Sequence, residues 1–357
     1  MPGTDTLTDA PLLTEIRNGT GIITLNRPKA LNALNLDMIR MMADALTKWA
    51  DDESITQIVV EGAGERAFCA GGDVVAVAKA ATARYVGQDT AETLSIDFFA
   101  EEYALNWKIF NLGKPYIALW DGIVMGGGAG ISLHGPVRIA TDNTMFAMPE
   151  NMIGLYPDVG ICSHLMKAPG QIGTWLGMTG ARLHAADLIW CGYASHYVPQ
   201  ADMPTLRTRL LEGEPVADVL AGLATTPPEQ PTLPTMQADI DAGFAGDSVE
   251  EIISALAAAG TDWAGKQLET LSHQSPSSQR LTLGHLRSNM PMKEQLVREF
   301  RLTQHCCAGH DLREGIRAAL IDKDRNPKWQ PATLAEVPAD LYQQYSRPAP
   351  EGELTLD

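Results

Sequence analysis

The chain has 357 residues, 45% of them hydrophobic and 20% charged, with a formal net charge of −17. Such a composition excludes a disordered chain, and the length calls for one large domain or two. The negative charge argues against non-specific binding to nucleic acid or anionic membranes, but not against an anionic small ligand held by a few local cations.

In chain order, residues 1–12 read as a flexible tail. "LLTEIRNGTGIITLNRP" is two short strand-like runs around Asn18-Gly19, a hairpin signal. Asn35 is placed to cap the helix "LDMIRMMADALTKW", in which Leu36, Ile39, Met42, Leu46 and Trp49 keep helical spacing. "ITQIVVEG" (55–62) is a compact buried strand. A helix runs through "LSIDFFAEEYALNWKIFNL" and stops near Gly113-Lys114-Pro115. "YIALWDGIVM" reads as one buried strand leading into Gly126-Gly127-Gly128, and "VRIATD" as another. Strands and helices joined by Gly-rich turns predict an α/β layer. After about residue 200 strand signals fade; Pro-rich "TTPPEQPTLPT" (225–235) reads as a linker or surface crossing, and helical patterns follow it. "SPSS" (275–278) is placed to cap one of them. The expected organisation is a core over 13–200 and a mainly helical region over 201–357 that covers the active site.

The five cysteines, Cys69, Cys162, Cys191, Cys306 and Cys307, are odd in number and form no C-x-x-C pair. Neither a disulfide framework nor a zinc knuckle is indicated, and a reducing compartment is the simpler reading. The first basic residue is Arg17, and no long apolar core precedes it, which fits neither a secretory signal nor an Arg-rich transit peptide. No run is apolar enough to span a membrane. These features together predict a cytoplasmic location. The eight histidines show no metal-ligand spacing, His134 and His164 read as core or helix-margin residues, and no Ser lies in G-x-S-x-G.

Four stretches carry candidate chemistry. In "EGAGERAFCAGGD" (61–73), Gly62-x-Gly64-x-x-Ala67 fits a dinucleotide fingerprint, but the chain turns again at Gly71-Gly72 before any helix, as a true fingerprint would not. A glycine turn with bare N–H groups is the better reading. In "DGIVMGGGAGISLHG" (121–135), three glycines after a strand let a ligand approach the backbone, or let helix and strand pack closely. One N–H from each turn would make an oxyanion hole. "AMPENMIGLYPDVG" (147–160) sets Glu150 and Asp158 among apolar, Gly and Pro residues. On the helix through Ile96, Phe99, Tyr103, Trp107 and Phe110, which form one apolar face, Glu101 points away from that face. Glu102 lies at the margin, where spacing alone favours a surface acid.

With both glycine turns in place, the sequence resembles the crotonase (enoyl-CoA hydratase/isomerase) superfamily. The shared pieces, "LNRPKALNALN", "RAFCAGGD", "DGIVMGGGAG", "FAMPENMIGLYPDVG" and "TGARLHAADLIWCGYASHYV", run in family order. It is most similar to the 3-hydroxyisobutyryl-CoA hydrolase branch through "FFAEEYALN", "SVEEIISAL", "SPSSQRLT" and "EFRLTQHCCAGHDLREGIRAALIDKDRNPKW". The resemblance implies an α/β fold of the ClpP/crotonase-like type, a superhelix of β-β-α units with a C-terminal helical region. It implies an oxyanion hole from Gly72 and Gly127, an acyl pocket with catalytic Glu150, Asp158 and Glu102, and coenzyme A near Lys29, Ala30, Leu31, Phe68, Ala70 and Lys323, the last expected on a helix. Coenzyme A would be part of the substrate, with no separate cofactor or metal. Relatives of this kind often form trimers, which leaves a homo-oligomer open unless the C-terminal region blocks or replaces that interface. The resemblance further implies valine catabolism.

One departure separates the branches. Two-Glu hydratases match Glu150 but carry their second Glu where this chain has Gly130. Conversely, Asp158 stands where hydratases usually have Gly and the hydrolases an acid. Ile161 replaces a Gly common in the hydrolases. Hydrolysis of a short β-hydroxyacyl-CoA, 3-hydroxyisobutyryl-CoA, is the leading expectation. Enoyl-CoA hydration or isomerisation on the same fold is the alternative, and an inactive acyl-CoA-binding protein a third.

Overall fold

The computed structural model describes residues 9–349 and 351–356. Of the expected tail, residues 1–8 lie outside these. The strands are β1 (Leu12–Arg17), β2 (Thr20–Leu25), β3 (Gln57–Gly62), β4 (Ala67–Cys69), β5 (Tyr116–Trp120), β6 (Ile123–Met125), β7 (Val137–Ala140), β8 (Met145–Ala147) and β9 (His196–Tyr197). Interleaved with them are α1 (Leu36–Ala50), α2 (Val74–Tyr85), α3 (Leu94–Phe110) and α4 (Gly127–Leu133), and three more helices, Cys162–Leu165, Ile172–Thr179 and Ala185–Cys191, lie between β8 and β9. After β9 the described elements are helical, the longest running Met292–Ala308.

The chain divides into two compact units: residues 1–72, 105–146 and 183–232 in the first, and residues 73–104, 147–182 and 233–357 in the second. One division falls at Thr232/Leu233, inside the Pro-rich stretch.

The first unit holds a six-stranded sheet of order β1-β2-β3-β5-β7-β9 and a three-stranded sheet of order β4-β6-β8. β1 and β2 pair antiparallel around Asn18 and Gly19, both at positive φ as a tight hairpin requires. The other neighbours in the large sheet pair parallel. Each of the pairs β3/β4, β5/β6 and β7/β8 gives one strand to each sheet. "YIALWDGIVM", expected as one strand, is therefore two. The chain turns at Asp121-Gly122, where Gly122 takes φ +95°, and β6 leaves to pair with β4. Asn35 caps α1 by accepting from the Met38 N–H. One core of this unit joins Val59, Ile117, Leu119 and Ile139 of the sheet to Leu206, Leu210 and Val219 of the helices Met203–Leu211 and Val216–Leu223. Each buried aliphatic side chain of this kind contributes about 1.5–3 kcal/mol.

The second unit is helical. Ser275 caps Pro276–Arg287 through the Ser278 N–H, as expected. Among the described residues no helix is long and apolar enough to cross a membrane, no His/Cys/Asp/Glu group is arranged for a metal ion, and the five cysteines are buried and form no disulfide.

Candidate active site

In the first unit the strand register brings the two glycine turns together. β4 and β6 run parallel, with Ala67 opposite Ile123 and Cys69 opposite Val124, so both turns leave the same end of adjacent strands. A Cβ built on Gly71 would lie 3.9 Å from the Gly127 nitrogen. Gly128 packs so tightly that a Cβ there would sit 2.2 Å from the Cys69 carbonyl oxygen, so the close-packing reading of these glycines holds. Gly126 takes φ +49° and starts α4 at Gly127, whose N–H is one of those a helix cannot pair internally. Gly72 bridges to Leu34. Gly130 lies buried in α4 and brings no carboxylate.

Of the residues expected near coenzyme A, Lys29, Ala30, Leu31 and Ala70 share one place in this unit. Lys29 and Ala30 are exposed in the short helix Pro28–Ala30, and the Ala70 N–H donates to the Leu31 carbonyl at 3.0 Å. Asn32, which sequence reasoning missed, holds this turn. Its Oδ1 accepts from the Arg27 N–H, and its Nδ2 donates to the Ala63 and Ala67 carbonyls. Phe68 is fully buried in β4, so its ring belongs to the core. Lys323 belongs to the second unit, and its expected place on a helix is corrected. It lies two residues past the π-helical turn Arg317–Ile321, exposed, at φ +59°.

The second unit gathers the acids. Glu102, Glu150 and Asp158 are 2%, 5% and 3% exposed. The surface position favoured for Glu102 is thus corrected. The inward face of α3 runs through Phe98, Phe99, Tyr103, Leu105, Asn106 and Ile109, whereas Phe110 is 47% exposed. Glu102 sits within that face; Ile96 and Trp107, counted towards the expected face but only half-buried, had turned it away from Glu102. Glu150 opens the 3₁₀ turn Glu150–Ile153. Its neighbour Asn151 locks that turn, donating to the Gly177 and Met178 carbonyls and accepting from the Thr282 hydroxyl. Ile161 is buried with an ordinary backbone, and its N–H donates to the Asp158 carbonyl, so the departure from Gly is accommodated.

Asp158 Oδ2 accepts a 2.6 Å hydrogen bond from the Tyr103 hydroxyl, which also meets Thr303 Oγ1 at 2.8 Å. Glu102 Oε1 and Glu150 Oε2 are buried without a partner. Burial and mutual repulsion shape the protonation of all three. Glu102 is raised well above the ordinary carboxylate range by burial, then by Asp158, Glu150 and Glu299. Glu150 is raised by burial, then by Asp158. Asp158 is pushed up to about 7 by burial and by Glu299, against the lowering effect of the Tyr103 hydrogen bond. Such a cluster holds its protons to higher pH than exposed carboxyls do and can exchange them with a bound group.

Comparison with known proteins agrees with this geometry. A family model described as enoyl-CoA hydratase/isomerase matches residues 20–346. The chain belongs to the enoyl-CoA hydratase/isomerase family. Among curated members, the 3-hydroxyisobutyryl-CoA hydrolase, mitochondrial, of Xenopus tropicalis is 43% identical over 98% of this chain and 92% of its own length. The Homo sapiens protein of the same name is 42% identical over 91% of this chain and 86% of its own. A crystal structure described as a carnitinyl-CoA dehydratase from Mycobacterium thermoresistibile matches with TM-score 0.90 and 40% identity, over 98% of this chain and 99% of that one. One described as an enoyl-CoA hydratase from Rhodobacter sphaeroides 2.4.1 matches with TM-score 0.88 and 38% identity, over 97% and 100%. The fold is therefore of the crotonase type, with a helical C-terminal region, and the family is one of enzymes acting on acyl-CoA. The cytoplasmic location expected from the sequence is overturned by the relatives' names, which point to mitochondria.

Proposed function

We propose that this family member hydrolyses 3-hydroxyisobutyryl-CoA to 3-hydroxyisobutyrate and coenzyme A. The observation that carries this reading is the buried carboxyl pair Glu150 and Asp158 in a chain whose residue 130 is glycine. Adding water across a double bond by the two-Glu route needs a carboxylate from position 130. Cutting a thioester needs one group acting on the carbonyl carbon, donors for the oxyanion and a fixed acyl chain. The hydrolase names carried by relatives at 41–45% identity support the same choice. The dehydratase and hydratase descriptions of the two solved structures favour the alternative, hydration of an enoyl-CoA, with Glu102 or Asp158 supplying the missing acid.

In the proposed reaction the Gly72 and Gly127 N–H groups bind the oxyanion, a role in which loss of one donor costs about 3 kcal/mol in other enzymes. Glu150 acts on the carbonyl carbon, directly or through a water whose proton it takes. Its raised proton affinity makes it a stronger base once ionised. Asp158 and Glu102 hold the β-hydroxyl and the water. The C–S bond breaks, the sulfur leaves as the coenzyme A thiol after gaining a proton, and the water oxygen ends in the product acid or, where water opens an acyl–Glu150 anhydride at the Glu150 carbon, in the Glu150 carboxyl. No group beyond substrate and chain is invoked. Lys29, Ala30, Leu31, Phe68, Ala70 and Lys323 are proposed for the coenzyme A moiety, Phe68 as a buried support.

Thiol release from acyl-CoAs with and without a β-hydroxyl tests this. Release from 3-hydroxyisobutyryl-CoA should far exceed release from isobutyryl-CoA. Equal rates would remove Asp158 and Glu102 from hydroxyl recognition. Single-turnover reaction in ¹⁸O-water separates the two routes for Glu150, since only direct attack leaves label in its carboxyl group.

A further inference from the structure

Three acids carry the proposed reaction, and a fourth buried acid beside them is left without a task. Glu299, on the helix Met292–Ala308, is fully buried, yet three donors converge on its carboxylate. Oε1 meets His285 Nε2 and Gln295 Nε2, each at 2.9 Å, and Oε2 accepts from the Gly160 N–H at 2.8 Å. Gly160 stands two residues after Asp158. The same helix holds the other end of that loop: the Tyr156 hydroxyl donates to the Glu299 carbonyl at 2.8 Å and meets Thr303 Oγ1 at 2.9 Å. Thr303 in turn meets the Tyr103 hydroxyl that donates to Asp158.

The loop between these anchors is not one the chain adopts unaided. Val159 takes φ +55° and Gly160 φ +72°. A β-branched residue in the left-handed region persists only where its surroundings over-determine it. A buried polar cluster alone gives little reason for itself, since apolar replacements of similar volume are often neutral or stabilising. A buried carboxylate tying down a strained loop that carries a reacting acid has one.

We propose that Glu299 is a positioning residue: its carboxylate clamps the Gly160 N–H and thereby fixes the loop that aims Asp158. The proposal rests on the functional reading above, in which Asp158 takes part in thioester hydrolysis. Glu299 acts through Asp158 and touches no reacting atom.

The test compares Glu299→Met, which keeps length and removes every acceptor, with Glu299→Gln, which keeps one for Gly160. With 3-hydroxyisobutyryl-CoA, Met should lower kcat at least about 10-fold with KM nearly unchanged, and Gln should recover most of the loss. In an Asp158→Asn background the Met effect should shrink below about 2-fold, because the residue it acts through is already gone. A crystal structure of Glu299→Met should show residues 156–160 displaced and the Tyr103–Asp158 hydrogen bond broken. If Glu299→Met does not fold, Gln295→Leu, which removes one donor only, should give a smaller kcat loss with the same dependence on Asp158. Equal losses for Met and Gln, a Met or Leu effect undiminished in the Asp158→Asn background, or an unmoved loop would each overturn the proposal. Absent thiol release by the wild type would overturn the functional reading instead, and the loop structure would still decide the clamp.

Discussion

Asp158→Asn should make the protein more stable, and only at high pH. The carboxyl is lifted from 3.8 to about 7, chiefly by burial and by Glu299. At 1.36 kcal/mol per tenfold change in proton affinity, ionised Asp158 costs the folded state about 4 kcal/mol. The sign follows from which state loses the proton first. The unfolded chain releases it near 3.8, so unfolding becomes more favourable between about pH 4 and 7. Above 7 both states are ionised and the cost stays constant. Asparagine never ionises and still offers the Tyr103 hydroxyl an acceptor, while relaxation and water entry reduce the cost in the wild type. Urea unfolding should therefore show the variant more stable by about 2–4 kcal/mol near pH 8.5, with the gap closing towards pH 4, while thiol release collapses. A gap that is absent, or the same at both pH values, would refute the claim that Asp158 is a buried acid ionised at a cost to folding.

Other consequences can be checked independently. Glu150→Gln should cut thiol release about 10²–10⁴-fold without loss of stability, measured by kcat and urea unfolding together. The pH profile of kcat/KM should rise through about 7 as Asp158 ionises. Tyr103→Phe removes a hydrogen bond that lowers the Asp158 pKa, so the rise should move to higher pH, and an unmoved profile would exclude Asp158 as its source. Gly128→Ala drives a methyl into the Cys69 carbonyl and should destabilise by about 3 kcal/mol or prevent soluble expression.

Much of this molecule was readable before its coordinates, and most of the failures share a cause. The hairpin at Asn18-Gly19 and the caps Asn35 and Ser275 announce themselves because their signals are local: a turn or a cap needs particular residues within four positions. Glu150 and Asp158 stood out as acids in an apolar run, and both are buried. Two strands were read as one because the turn signal Asp121-Gly122 was passed over inside an apolar run, and β6 leaves there to pair with β4. What else failed depended on neighbours distant in sequence. Glu102 was assigned to the margin because the inner face of α3 is set by what packs on it. Gln295, Glu299 and Thr303 recur every four residues, a visible stripe, but spacing alone cannot tell a buried polar stripe from a solvated one. Only the convergence of His285, Gln295 and Gly160 on Glu299 identifies it.

The central claim is that this site cuts a thioester and does not hydrate a double bond. One preparation, assayed side by side for thiol release from 3-hydroxyisobutyryl-CoA and for loss of crotonyl-CoA absorbance, tests it most directly. The account expects rapid thiol release that Glu150→Gln abolishes, with the crotonyl-CoA signal unchanged. Brisk loss of crotonyl-CoA absorbance without thiol release would contradict it.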